Sequence, residues 1–238
     1  MDVTIHLKND YHLIKVIINE DDGSRVEKEI TRQTFTEIFK TESFNEYYCK
    51  NDLFKNFENV ENIEGLLYGI KRNKEMKGLF FVPAAKRYMN VVGEQTMIPY
   101  PSLVFQFEVK SGVLVKSYCF AVKEKKKTNL KADTKLYNFP FGNVEPYDHH
   151  ICWGTNQMTS LYEYEDLRKA IGTFFYSESN KDYVTAGKSY HKKYGSYEEL
   201  LKFLENKECF PSKVLVSNED NLTLKNVFDS IYFKLEEK

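Results

Sequence analysis

Leu103-Val104-Phe105-Gln106-Phe107-Glu108-Val109-Lys110, then Ser111-Gly112, then Val113-Leu114-Val115-Lys116-Ser117-Tyr118-Cys119-Phe120-Ala121-Val122 is the stretch that carries the fold class. Leu103, Phe105, Phe107 and Val109 alternate with Gln106, Glu108 and Lys110. A period of two turns one face of a strand into a core and the other toward water. The Lys110-Ser111-Gly112 turn closes this strand onto the apolar run that follows, which makes an antiparallel pair. Upstream, Leu66 to Lys71 and Leu79 to Ala84 read as further strands of the same meander. Downstream of residue 159 the grammar becomes helical. Ser160-Leu161-Tyr162-Glu163 and Ser196-Tyr197-Glu198-Glu199 both match a capping box. The first predicted helix carries Leu161, Tyr164, Leu167, Ile171 and Phe174 on one face, and the second carries Tyr197, Leu200, Leu201 and Leu204. Strands first and helices afterwards predict an α+β fold, an antiparallel meander with helices on one face.

Ahead of this meander, Tyr11 to Asn19 and Arg25 to Thr31 read as a hairpin across Asp21-Asp22-Gly23-Ser24, since Asp-Gly is a strong turn signal. Gln33 to Lys40 spaces Phe35, Ile38 and Phe39 as one face of a short helix. Residues 41–62 are polar and rich in Asn, the weakest boundary in the chain. The expected organisation is an N-terminal hairpin-helix extension over residues 1–75 and a core over residues 76–238.

Composition narrows the function. Lys+Arg 34 against Asp+Glu 35 leaves a net charge of -1, so there is no basic footprint for nucleic acid and no polybasic membrane anchor. Hydrophobic residues at 42% and aromatics at 15% supply a sizeable core, which argues against disorder. Apolar runs such as Tyr118-Cys119-Phe120-Ala121-Val122 fall far short of the ~20 residues of a membrane span. Met1-Asp2-Val3-Thr4-Ile5-His6 lacks the pattern of a secretory signal. Cys49, Cys119, Cys152 and Cys209 contain no CxxC pair, so the expectation is reduced thiols in a cytoplasmic protein.

Between the two halves lies Asn129 to Met158, too long for a plain connection and rich in special residues: Pro140, Gly142, Pro146, Gly154, Trp153 and the pair His149-His150. Cys152 is its candidate nucleophile, because Gly154 allows close backbone approach of a bulky acyl donor. An ordinary thiol, with a pKa of ~8.5, is only slightly ionised at neutral pH. A cationic His149 or His150 would favour thiolate, whereas Phe139, Phe141, Tyr147 and Trp153 would oppose it by desolvation and Asp148 would cancel part of the cation. Cys49, Cys119 and Cys209 read as small hydrophobes or incidental thiols. Two other chemistries use the same loop. One is a zinc site on His149, His150, Cys152 and one of the remote cysteines, without paired cysteine spacing; the other is a cysteine protease or amidase with Cys152 as nucleophile and His191 as base.

Leu136-Tyr137-Asn138-Phe139-Pro140-Phe141-Gly142-Asn143-Val144 followed by Ile151-Cys152-Trp153-Gly154 resembles the active-site segment of ubiquitin-conjugating enzymes, where an Asn ending a His-Pro-Asn signature precedes the catalytic Cys. With Ala132-Asp133-Thr134-Lys135, Pro99-Tyr100-Pro101-Ser102-Leu103-Val104-Phe105 and Thr173-Phe174-Phe175-Tyr176-Ser177, the chain is similar over roughly residues 79–215 to the protein B family of the bacterial PRTRC cassette, a prokaryotic branch of that superfamily. The resemblance implies a ubiquitin-conjugating core in which Cys152 accepts a ubiquitin-like protein as a thioester. Asn143 would stabilise an oxyanion or order the loop. It also implies partners, namely a ubiquitin-like protein, a ThiF-like activating enzyme and a JAB-type peptidase, and no cofactor on this chain, because the activating enzyme uses the ATP. Two positions depart from the pattern. Phe141 and Gly142 separate Pro140 from Asn143 with no His before the proline, and Asn180 stands where related proteins carry a His. A catalytically silent adaptor of the same fold, binding a ubiquitin-like protein, is the alternative these departures keep open.

Overall fold

β8 (Ser102–Lys110) and β9 (Val113–Val122) pair antiparallel across the Ser111-Gly112 turn, with Leu103 opposite Ala121 and Phe105 opposite Cys119. In this computed structural model they form one side of a four-stranded sheet of order β4-β5-β8-β9. β4 is Leu66–Arg72 and β5 is Glu75–Val82. The structure describes residues 2–7, 13–19, 24–31, 64–72, 74–91, 94–179 and 181–233. The chain divides into two compact units, residues 1–53 and 54–238. In the first, β1 (Asp2–Leu7), β2 (Leu13–Asn19) and β3 (Arg25–Thr31) form an antiparallel sheet of order β1-β2-β3. β2 and β3 are the expected hairpin, with Asn19 opposite Arg25, and β1 adds a strand that had no sequence signal. The predicted helix at residues 33–40 and Cys49 lie outside the described residues.

The fold of the second unit is α+β. β5 begins four residues earlier than its apolar run suggests, because Gly78 serves close approach rather than a turn. A Cβ there would lie 2.9 Å from Leu167 Cδ1 on the overlying helix. β4 precedes residue 76 and yet pairs with β5. A second hairpin, β6 (Ala85–Val91) with β7 (Glu94–Tyr100), joins a two-residue strand β10 (Glu178–Ser179) in a sheet of order β10-β6-β7.

α1 (Tyr164–Tyr176) starts later than the Ser160 capping box suggests. Leu161 is held before it, its N–H donating to Gly112 O at 3.0 Å and its side chain buried. Asp166 supplies the cap, accepting from the Tyr162 and Glu163 N–H groups at 3.0 Å each. Those bonds hold its carboxyl below the usual carboxylate range. α2 (Tyr197–Glu205) starts at the predicted Ser196 box, with Ser196 Oγ accepting from Glu199 N and Glu199 Oε2 from Ser196 N. α1 packs beside β6 and α2 beside β7.

The sheet buries both faces. Phe80, Leu103, Phe105, Phe107 and Cys119 meet Leu167, Ile171 and Phe174 of α1. On the opposite face Leu79, Phe81, Val104, Phe120 and Val122 meet Leu224 and Val227 of a third helix, α3 (Leu224–Phe233). Among the described residues no helix is long and apolar enough to cross a membrane.

Candidate active site

The Asn129–Met158 stretch is held to the free edge of β9. Tyr137 and Ala121 exchange backbone hydrogen bonds of 2.8 and 2.9 Å, while Ile151 N donates to Ser117 O and Cys119 N to His149 O. Pairing in this way satisfies an edge that would otherwise expose its backbone. Between these two lines of contact, Phe139 and Phe141 plunge into the core. Phe141 lies 4.8 Å from the Tyr100 ring and Phe139 lies 5.4 Å from Phe174, centroid to centroid. Trp153 adds an edge contact to Phe174 at 6.3 Å and donates through Nε1 to the buried Ser117 Oγ at 2.9 Å. The four motifs that carry the resemblance, around residues 100, 140, 153 and 174, therefore meet in one aromatic cluster.

Residues 143–152 form an irregular hairpin over this cluster. Val144 pairs with Ile151, and Cys152 N donates to Asn143 O at 2.9 Å. Asn143 is buried with φ +69°, a left-handed conformation that Asn tolerates better than most residues. Its Nδ2 donates to Glu178 O at 2.8 Å. β10, which carries Glu178, is itself paired in parallel with β6. Asn143 thus ties the hairpin's first strand to a second sheet and its own carbonyl to Cys152. Asn138, also buried, makes a second long-range tie by donating to Lys188 O at 3.0 Å.

Cys152 is a free, half-buried thiol at the end of this hairpin, whereas Cys119 is fully buried and Cys209 exposed. Burial pushes the Cys119 thiol well up, as expected of a core residue. Gly154 has φ +58° and a Cβ there would meet nothing within 4 Å. The position requires left-handed backbone and leaves open space two residues beyond Cys152.

The histidines sit at the far turn of the hairpin. His149, at φ +63° and 4% exposed, lays its ring on Phe120 at 4.6 Å, on the sheet face covered by α3. Burial lowers its pKa against the pull of Asp148, Glu145 and Asp220, so the ring is neutral at pH 7. The positive charge that the sequence reading asked of His149 is therefore not present at neutral pH. His150 is exposed, edge-on to Tyr118 at 6.1 Å. His191 is exposed on another loop, where Nδ1 accepts from Lys193 N at 3.3 Å. Among the described residues, no group of three or more His, Cys, Asp or Glu is placed to hold a metal ion. Asn180 lies outside the described residues.

Charge on Cys152 pushes up the phenol of Tyr183, on the loop after β10. Nothing in the local sequence signals it.

Residues 57–218, from ahead of β4 to beyond α2, match the model of prokaryotic E2 family D. An antiparallel sheet backed by helices, with a cysteine on a glycine-flanked loop, is thus an E2-like architecture. The chain belongs to prokaryotic E2 family D. No curated protein and no solved structure matches it.

Proposed function

We propose that this protein is a thioester carrier, in which Cys152 accepts a bacterial ubiquitin-like protein from a ThiF-like activating enzyme and delivers it to an amine. The observation that carries the reading is the placement of Cys152. It is a half-buried free thiol on a hairpin pinned through Asn143 and Ser117, in a chain of the E2-like family. A thiol held on a fixed backbone with open space at the nearby Gly154 suits exchange of a large acyl group. Loading forms a bond from Cys152 Sγ to the acyl carbon and expels the activating enzyme's thiolate, and delivery replaces Sγ by the amine nitrogen. Asn143 orders the hairpin, and His149 and His150 shape its turn. ATP belongs to the activating partner, so this chain needs no cofactor for the step. A PRTRC-type setting in the bacterial cytoplasm, with a JAB-type peptidase as a further partner, follows from the resemblance.

Incubation with the activating enzyme, the ubiquitin-like protein and ATP is expected to give a thiol-sensitive adduct on the wild type and none on Cys152→Ser. Cys152→Lys is expected to trap a thiol-resistant isopeptide. A reducible adduct on Cys152→Ser, or none on the wild type, sinks the carrier reading. The adaptor reading is favoured by one observation, the engagement of the Asn143 amide with Glu178 O, which occupies a donor that an oxyanion would need. It expects binding of the ubiquitin-like protein without an adduct.

A further inference from the structure

Between α3 and the turn of the cysteine hairpin lies a groove of about 270 Å³. Tyr118 and Phe120 of β9 line it, with Tyr147, Asp148 and His149 from the turn and Asp220 from ahead of α3. Its charge is negative. Glu108 and Lys116, also on the lining, offset each other at 4.0 Å. Asp148 and Asp220 pair with no Lys or Arg among the described residues. His149 supplies a second, independent feature, because it is 4% exposed and its Nδ1 is buried without a hydrogen-bond partner among the described residues. A buried polar atom left unpaired costs free energy that a bound donor relieves. The hairpin turn also shows which donor suits it. Lys188 lays its ammonium over the Tyr147 ring at 5.3 Å while pairing with Glu219, so an ammonium between an aromatic face and a carboxylate is already present beside the groove.

We propose that this groove binds an alkylammonium ion, a primary amine in its protonated form, with the Tyr118 ring as its platform, Asp148 and Asp220 as its counter-charges and His149 as a hydrogen-bond acceptor. A neutral imidazole keeps one ring nitrogen free of a proton, and an ammonium brings three donors and no acceptor, so the two are complementary. The aromatic lining takes the alkyl stem and, through its ring faces, part of the charge. Phosphates and carboxylates are repelled by the two unpaired carboxylates. A metal ion does not fit either, since among the described residues no group of three or more His, Cys, Asp or Glu is placed to hold one. The site goes beyond the carrier reading and does not depend on Cys152 taking up an acyl group. Its ammonium comes from a free alkylamine or from a lysine side chain of another protein, which share this chemistry.

Butylamine, protonated at pH 7, is the probe. Titrated into the full-length protein labelled with nitrogen-15, it is expected to shift the amide resonances of Tyr118, His149 and Asp220 along one saturating curve. Butanol and butyrate, of the same length without the positive charge, are expected to bind about tenfold more weakly. Asp148→Asn keeps an oxygen to accept from His150 N, a bond of 2.8 Å, so it removes charge and leaves the turn in place. Asp148→Asn and Asp220→Asn are each expected to weaken butylamine about threefold, and the double variant about tenfold, the scale of partly exposed ion pairs. N-acetyl-lysine methylamide separates the two sources: tighter binding than butylamine supports a protein lysine as the ligand, and weaker binding supports a free amine. Butanol that binds as tightly as butylamine overturns the proposal. So does a double variant, with an otherwise unchanged spectrum, that binds butylamine as the wild type does, and so does the lack of any saturable shift. Each of these leaves the carrier reading standing, because loading of Cys152 is measured without the amine.

Discussion

Asn143 combines two demands in one residue. Its backbone takes φ +69° so that its carbonyl meets Cys152 N, and its amide must reach Glu178 O. Left-handed backbone costs an ordinary L-residue roughly 1–2 kcal/mol, and glycine almost nothing. Losing a partly buried hydrogen bond costs about 1 kcal/mol more. Asn143→Ala is therefore expected to lose about 2 kcal/mol in urea denaturation and Asn143→Gly about 1 kcal/mol, because the glycine forfeits only the side-chain bond. If both variants instead keep full stability and load normally but discharge about a hundredfold more slowly, Asn143 is an oxyanion donor and not a loop tie.

At the scale of elements, Gly69 of β4 lies under the Tyr164 ring that opens α1. A Cβ on it would sit 2.5 Å from Tyr164 Cζ, and Tyr164 is buried and has little room to yield. Gly69→Ala is expected to lower stability by about 1–3 kcal/mol, the usual range for overpacking. Adding Tyr164→Leu should recover part of that loss, a coupling that a double-mutant cycle in denaturant measures. Independent effects of the two changes would contradict the contact. Such close approaches explain which elements were legible in the sequence. β8, β9 and α2 announce themselves through period two, period 3.6 and a capping box, all local signals. β6 and β7 do not, since Lys86-Arg87-Tyr88 and Pro99 break the alternation, and their partners are each other and the two-residue β10. α3 does carry Leu224, Val227 and Phe228 at helical spacing, but that short pattern yields a helix only once the second face of the sheet exists to receive it. Cys152, Asn143 and the aromatic anchors were readable from motif and composition. Tyr183 was not, since nothing in the local sequence relates its phenol to the charge on Cys152 that pushes it up.

Across the described residues of the molecule, acid response isolates one buried group. Ion pairs such as Lys71 with Glu163 at 2.6 Å and Lys86 with Glu208 at 2.8 Å lie at the surface, and exposed pairs contribute little. Asp166 and Glu198 are both held low, the latter at about 2 by the Lys181 ammonium, so their protonation falls below the mildly acidic window. The ordinary range of a histidine lies inside it, which brings in His149. Burial lowers its pKa while Asp148, Glu145 and Asp220 pull the other way, and its Nδ1 is buried without a hydrogen-bond partner among the described residues. In the unfolded chain a histidine titrates near ~6.5. Between that value and the lower folded one, the unfolded state binds a proton that the folded state does not, so stability rises with pH there. The stabilisation is present above about 6.5 and is lost as pH falls through the folded pKa, with a slope of at most ~1.4 kcal/mol per pH unit for one proton. Urea denaturation of the wild type between pH 7.5 and pH 5.5 is expected to show this decline. His149→Asn, which suits the φ of +63° and cannot titrate, is expected to flatten it even though losing the Phe120 contact lowers stability overall. An equal slope in the variant would assign the acid response to another group and detach His149 from it.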